Sequence, residues 1–222
     1  GIFAKSFMAL ENRGRDASGF FALHDDTSWQ LLKAPIRSSE LVYYQEFKDM
    51  IGKAITPTTA FVLGHARAKT KGSEQNNLNN HPTEYKNLVG VHNGTIINDD
   101  EVFETLDCER FAQVDSEAIY ASIHSMCDDP NNWQPAEVAD ACKMLTGSAA
   151  VLAVSKDNPN NMLILRERNP IDLLFFDNLG IIFIASDKDY VLKTISDLKV
   201  FRDFFDLKVN EKLLRKIDHK VF

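Results

Sequence analysis

Residues 60–94 read AFVLGHARAKTKGSEQNNLNNHPTEYKNLVGVHNG. Two apolar runs in this stretch, Ala60–Leu63 and Leu88–Val91, have the length of buried strands, and each gives way at once to glycine, histidine and polar side chains. The pattern predicts two core strands, one delivering Gly64, His65 and Arg67 and the other delivering His92, Asn93 and Gly94 to one pocket. Between them, the polar run from Lys71 to Asn80 contains Gly72 and four asparagines. It reads as a surface loop, either a lid over a ligand or a plain solvated connection.

The residue types at these strand ends define what the pocket can hold. Arg67 offers a planar fork of donors suited to a carboxylate, Asn93 offers a side-chain amide, and Gly94 lets a backbone N–H approach a ligand with no Cβ in the way. Asp115, in VDSE at 114–117, precedes a helical pattern and either caps that helix or faces the pocket to bind an ammonium group. Arginine for a carboxylate and aspartate for an ammonium together describe an α-amino acid. Blander readings exist for each position. Asn93-Gly94 is also the dipeptide of a tight hairpin turn, and Lys69, Thr70 and Lys71 also fit a solvated strand end. His65 and His92 sit among glycine neighbours with no third ligand at helix or hairpin spacing, so they read as structural and no metal is expected.

Working outward, Gly1–Ala4 reads as the start of a buried strand and Phe7–Asn12 as the last turns of a helix stopped by Gly14. In RGRDASG (13–19), Arg13 is either a site residue or part of a tight connection in which Asp16 bonds local N–H groups. Strands follow at Gly19–His24 and Trp29–Leu32. A core-facing helix then carries Leu41, Tyr44, Phe47 and Ile51. After Gly94 come a helix at Asp99–Leu106, a second that follows Asp115 and Ser116 with Ile119, Ile123 and Met126 on one face, and a third at Pro135–Met144. Four more apolar runs, Ala149–Val154, Met162–Leu165, Leu173–Phe176 and Ile181–Ala185, precede a last helix ending at Leu198. About nine strands with grouped helices predict an α+β fold of two packed, mainly antiparallel sheets flanked by helices. Residues 1–222 read as a single domain.

Composition excludes several classes. Lys plus Arg number 25 against 32 Asp plus Glu, a net charge of −7 without a basic block, which disfavours nucleic acid. Cys108, Cys127 and Cys142 are odd in number and form no C-x-x-C pair, which fits packing roles in a reducing compartment. No apolar run approaches the roughly 20 residues needed to cross a bilayer. These features lead us to expect a cytoplasmic protein that does not act on membranes.

The motifs GIFA (1–4), RGRDASG (13–19), GHARAKTKG (64–72), NNHP (79–82), VHNG (91–94) and VDSE (114–117), taken in order, resemble the class II glutamine amidotransferases. These belong to the N-terminal nucleophile hydrolases, and the likeness favours the branch with glucosamine-6-phosphate synthase and amidophosphoribosyltransferase. The resemblance implies a four-layer αββα sandwich, no cofactor, and hydrolysis of the L-glutamine side-chain amide through a cysteine thioester. It implies Asn93 and Gly94 as the oxyanion hole, Arg67, Thr70, His92 and Asp115 as substrate-binding residues, and Gly1 and Arg13 as supporting the site. Family members carry the nucleophilic cysteine immediately before the GIF motif, so it is expected to precede Gly1. Two departures stand out. Ala68 and Lys71 occupy positions where the family commonly has an aromatic residue and a histidine. GIFAKS also runs straight into FMALENRGRD, as if the first connection were short or residues were absent between Ser6 and Phe7. Ammonia is expected to pass to a synthase partner or domain. The alternatives are a non-catalytic amino-acid-binding relative and an amidase acting on another amide.

Overall fold

Strand β1 (Ala17–His24) is buried along its whole length because each of its faces packs on a different layer. Phe20 and Ala22 face one way and meet Phe7, Leu41 and Phe47 of the helices. Phe21 and Leu23 face the other way and meet Leu63, Val89, Val91 and Val154. This two-residue alternation sets the architecture. In the computed structural model, which describes residues 1–176, 180–197 and 214–216, the first sheet runs β2-β1-β3, with β2 at Trp29–Ala34 and β3 at Thr59–Arg67. The second runs β4-β5-β6-β7, comprising β4 (Thr83–Tyr85), β5 (Leu88–Ile96), β6 (Gly147–Ser155) and β7 (Asn158–Glu167). All strand pairs are antiparallel.

Helices α1 (Ile2–Ala9), α2 (Ser38–Leu41) and α3 (Gln45–Ala54) cover the outer face of the first sheet. Helices α4 (Asp99–Leu106), α5 (Ser116–Met126) and α6 (Pro135–Cys142) cover the second, where Ile119, Tyr120 and Ile123 pack on Leu88, Val151 and Ala153. The order helix, sheet, sheet, helix is the expected α+β sandwich. A third small sheet, β10-β8-β9, joins β8 (Asp172–Phe176), β9 (Ile181–Ala185) and the backbone of β10 (Leu214–Lys216). Helix α7 (Lys188–Asp197) packs on it through Val191 and Ile195. The expected end of this helix at Leu198 lies outside the described residues.

Two expectations about elements are overturned. The single core-facing helix expected to carry Leu41, Tyr44, Phe47 and Ile51 is two helices, α2 and α3, because Tyr44 between them has extended backbone and is exposed. Gly1–Ala4 is not a strand: Gly1 caps α1, and GIFA forms its first turn. Phe3, Phe7 and Leu10 recur at spacings of four and three, which places them on one helical face, and the Phe3 and Phe7 rings stack with centroids 5.6 Å apart. Ser6 and Phe7 are consecutive residues inside this helix, which runs through a short 3₁₀ turn (Leu10–Asn12) into Arg13.

Candidate active site

The end of β3 is held in place by the turn before β1. Gly14 lies so close to it that a Cβ would come within 2.1 Å of the Arg67 carbonyl carbon, and the Asp16 carboxylate accepts the Lys69 N–H at 2.7 Å. Asp16 thus bonds a distant strand end and not its own turn. Beyond this point lies a cavity of about 1070 Å³ whose wall includes Gly1, Arg13, Arg67, Thr70, Asn93, Gly94 and Asp115. Every residue singled out from the sequence as a site candidate lines it, His92 included. Apolar residues near the start of β3, such as Ile51, Ile55 and Val62, and most of β9 complete the wall. Both β3 and β9, which contribute to this wall, are edge strands of their sheets among the described residues.

Arg67 ends β3 almost fully buried. Its Nη2 donates to the carbonyls of Lys71 (2.6 Å) and Gly72 (3.0 Å), and Nη1 donates to Asn80 Oδ1 (3.0 Å). A guanidinium has five N–H groups, so Nε–H and one Nη1–H remain for a ligand. The same side chain therefore organises the 71–80 loop. Asn80 donates to the Glu74 carbonyl and to Asn77, while Asn79 bonds Ser73 and Gln113, and both asparagines are fully buried. The loop is a surface loop, exposed at Ser73 and from Gln75 to Leu78, whose buried Asn79 and Asn80 stitch it to the body. Lys71 extends the tie to Asp99 and Asp100 on α4, where Arg110 also pairs with both.

Asn93 and Gly94 do not form a hairpin turn. Both lie within β5, opposite Ala150 and Ala149 of β6. By the strand period, Asn93 shares the inter-sheet face of Val89 and Val91. Its side-chain amide makes no hydrogen bond among the described residues, while its carbonyl accepts from Asn169 Nδ2 at 2.6 Å. Gly94 has φ of 150°, and a Cβ there would lie 2.0 Å from the Ser148 carbonyl oxygen, so only glycine fits. Asp115 makes no side-chain cap on α5. Its Oδ2 instead accepts the Ile96 N–H at 2.7 Å, tying the helix start to β5.

His92 reaches the wall with both ring nitrogens occupied, Nδ1 by Ser116 Oγ at 2.9 Å and Nε2 by the Ser148 carbonyl at 3.3 Å. Two neighbours that the sequence reading left without a role, His81 and Ser116, belong to the same wall. The only sequence signal for them is adjacency, His81 within NNHP and Ser116 next to Asp115. Burial and the neighbouring imidazoles push His65 down to about 4 and hold His81 well below the usual histidine range. Burial likewise lowers His92, against the attraction of Asp115. Of the chain's cysteines, none lines the cavity. Burial pushes the Cys127 thiol up to about 11 and the Cys142 thiol up to about 12, so neither is a ready nucleophile. Among the described residues, no three His, Cys, Asp or Glu side chains gather as a metal-ligand set.

No protein-family model matches the chain. Among curated proteins, it is 27% identical over 223 residues to the 7-cyano-7-deazaguanine synthase of Sulfolobus acidocaldarius, covering 96% of this chain and 45% of that protein. It is 30% identical over 195 residues to the isomerizing glutamine–fructose-6-phosphate aminotransferase of Tropheryma whipplei, covering 84% of this chain and 30% of that one. Among solved structures, glutamine phosphoribosylpyrophosphate amidotransferase from B. subtilis superposes with a TM-score of 0.66 at 16% identity, over 100% of this chain and 46% of that one. An allosteric regulatory enzyme of purine biosynthesis gives a TM-score of 0.64 at 18% identity, over 86% and 40%. The chain spans less than half the length of these relatives.

Proposed function

We propose that this chain is a class II glutamine amidotransferase domain, in keeping with its curated and structural relatives, that it hydrolyses the side-chain amide of L-glutamine and that its cavity is the glutaminase site. The observation that carries this reading is the pairing of an uncommitted Asn93 amide with the side-chain-free Gly94 on a wall shared with Arg67 and Asp115. In this scheme the remaining Arg67 donors bind the substrate α-carboxylate, Asp115 binds the ammonium, and Thr70 and Arg13 line the approach. A cysteine N-terminal to Gly1 supplies the thiol. What supports a cysteine immediately before Gly1 reaching the substrate is that Gly1 itself lies on the cavity wall.

The thiol attacks the amide carbon, and the cysteine's own α-amino group, with a pKa of about 8, takes its proton. The tetrahedral oxyanion rests on Asn93 Nδ2 and the Gly94 N–H. Ammonia leaves with the transferred proton, and water then cleaves the thioester to glutamate. We propose that the ammonia goes to a synthase domain or subunit beyond these residues, consistent with relatives named as a synthase and an aminotransferase of which the matched part is 45% and 30%. The full-length polypeptide given L-glutamine should yield glutamate and ammonia in equal amounts. Binding of glutamine without glutamate would replace this reading with that of an amino-acid-binding relative.

A further inference from the structure

A hydrogen-bond chain that the proposed reaction does not use runs beneath its oxyanion hole. Ser116 Oγ sits between His92 Nδ1 at 2.9 Å and His81 Nε2 at 3.0 Å, with all three side chains buried. Two backbone carbonyls, which can only accept, fix every proton in it. The Ser148 carbonyl, 3.3 Å from His92 Nε2, requires a proton on that nitrogen, and the His92 carbonyl, 3.1 Å from His65 Nε2, requires the same of His65. Neutral His92 then has a bare Nδ1, which accepts the Ser116 hydroxyl proton. Ser116 Oγ in turn accepts from His81 Nε2–H. This assignment leaves His65 Nδ1 and His81 Nδ1 without protons, and those are the two ring nitrogens of the cluster that have no hydrogen-bond partner. A proton on either would be a buried donor with nowhere to go.

The chain meets β5 at a defined place. Ser116 grips His92, and the adjacent Asp115 grips the N–H of Ile96, so the first turn of α5 holds β5 on both sides of Asn93 and Gly94. The His92 ring also lies under Gly94, where its Nε2 would be 2.7 Å from an added Cβ. We infer that Ser116 is a positioning residue for amide hydrolysis. It fixes the tautomers of His92 and His81, and through His92 it holds the Asn93 and Gly94 donors where the oxyanion forms. This inference rests on the glutaminase reading, because it gives the held donors their purpose.

The test uses Ser116→Ala, Ser116→Thr and, as a control for loss of a buried hydroxyl on the same helix, Ser122→Ala, whose hydroxyl donates to the Ala118 carbonyl of its own helix. In the full-length polypeptide, Ser116→Ala should lower kcat roughly tenfold to a hundredfold with KM little changed, as expected for misplaced transition-state donors. Ser116→Thr should restore most of it, and Ser122→Ala should leave both constants unchanged. Nitrogen-15 spectra of the imidazoles should show His65, His81 and His92 of the wild type neutral and protonated on Nε2, and Ser116→Ala should shift the Gly94 amide resonance. Wild-type kcat in Ser116→Ala, or a His92 protonated on Nδ1, overturns the inference while leaving glutamine hydrolysis intact. If the wild type releases no glutamate, the functional reading fails instead, and the tautomers and the Gly94 shift alone decide the relay. Should Ser116→Ala fail to fold, the wild-type tautomers and the Ser116→Thr kinetics decide it.

Discussion

Asn93 is the residue on which most of the chemistry rests, and its strand geometry makes it a clean probe. It needs no positive φ, and among the described residues its side chain makes no hydrogen bond. Asn93→Ala should therefore lower kcat by roughly 10² to 10³ with little change in KM or thermal stability; retained kcat would remove it from the oxyanion hole. Gly94→Ala is expected to act differently, since its Cβ would collide with backbone, and should impair folding itself. Arg67 serves two purposes, and Arg67→Lys separates them. One ammonium cannot satisfy the Asn80, Lys71 and Gly72 acceptors in fork geometry, so stability should fall by about 1–3 kcal/mol. KM should rise as well, and a lowered melting temperature with KM unchanged would assign Arg67 to the loop alone. The sequence exposed Arg67, Asn93 and Gly94 because they directly follow apolar runs. It did not expose the double duty of Arg67 or the Ser116 relay, because those depend on which atoms meet across 4 to 35 residues of chain.

At the scale of elements, the strands were legible wherever apolar residues formed runs bounded by glycine or polar residues, as at Ala60–Leu63 and Leu88–Val91, which became the cores of β3 and β5. GIFA was misread because four apolar or small residues fit a strand or a helix equally well, and only the later Phe7 and Leu10 reveal the helical period. The 71–80 loop was half legible. Asparagine density marked it as a surface loop, but not that Asn79 and Asn80 would turn inward. Its tethering makes a prediction: Asn80→Ala removes the acceptor for Arg67 and the donors to Glu74 and Asn77. Hydrogen exchange in 71–80 should accelerate, with β1 and β5 unaffected. Unchanged exchange would mean that Arg67 and the Lys71 ion pairs hold the loop by themselves.

For the whole molecule, the buried histidines between the sheets link stability to pH. Unfolded histidine titrates near 6.5, whereas native His65 titrates at about 4 and native His81 lies well below its usual range. Between these values the unfolded chain binds more protons than the folded one. Stability is thus complete above about 6.5 and falls with decreasing pH at up to about 1.4 kcal/mol per unit for each histidine. Denaturant titrations between pH 6.5 and 5, above the range of the carboxylates, should show this slope, and His65→Asn should make it shallower; an identical slope would place the uptake elsewhere. The central claim is that the cavity between the sheets forms a thioester with glutamine. The most direct measurement is the intact mass of the full-length polypeptide, acid-quenched during turnover of L-glutamine. The account predicts an increment of one glutamyl group mapping to a cysteine N-terminal to Gly1, and its loss in Asn93→Ala. An unmodified mass while glutamate accumulates, or an adduct on Cys108, Cys127 or Cys142, would contradict it.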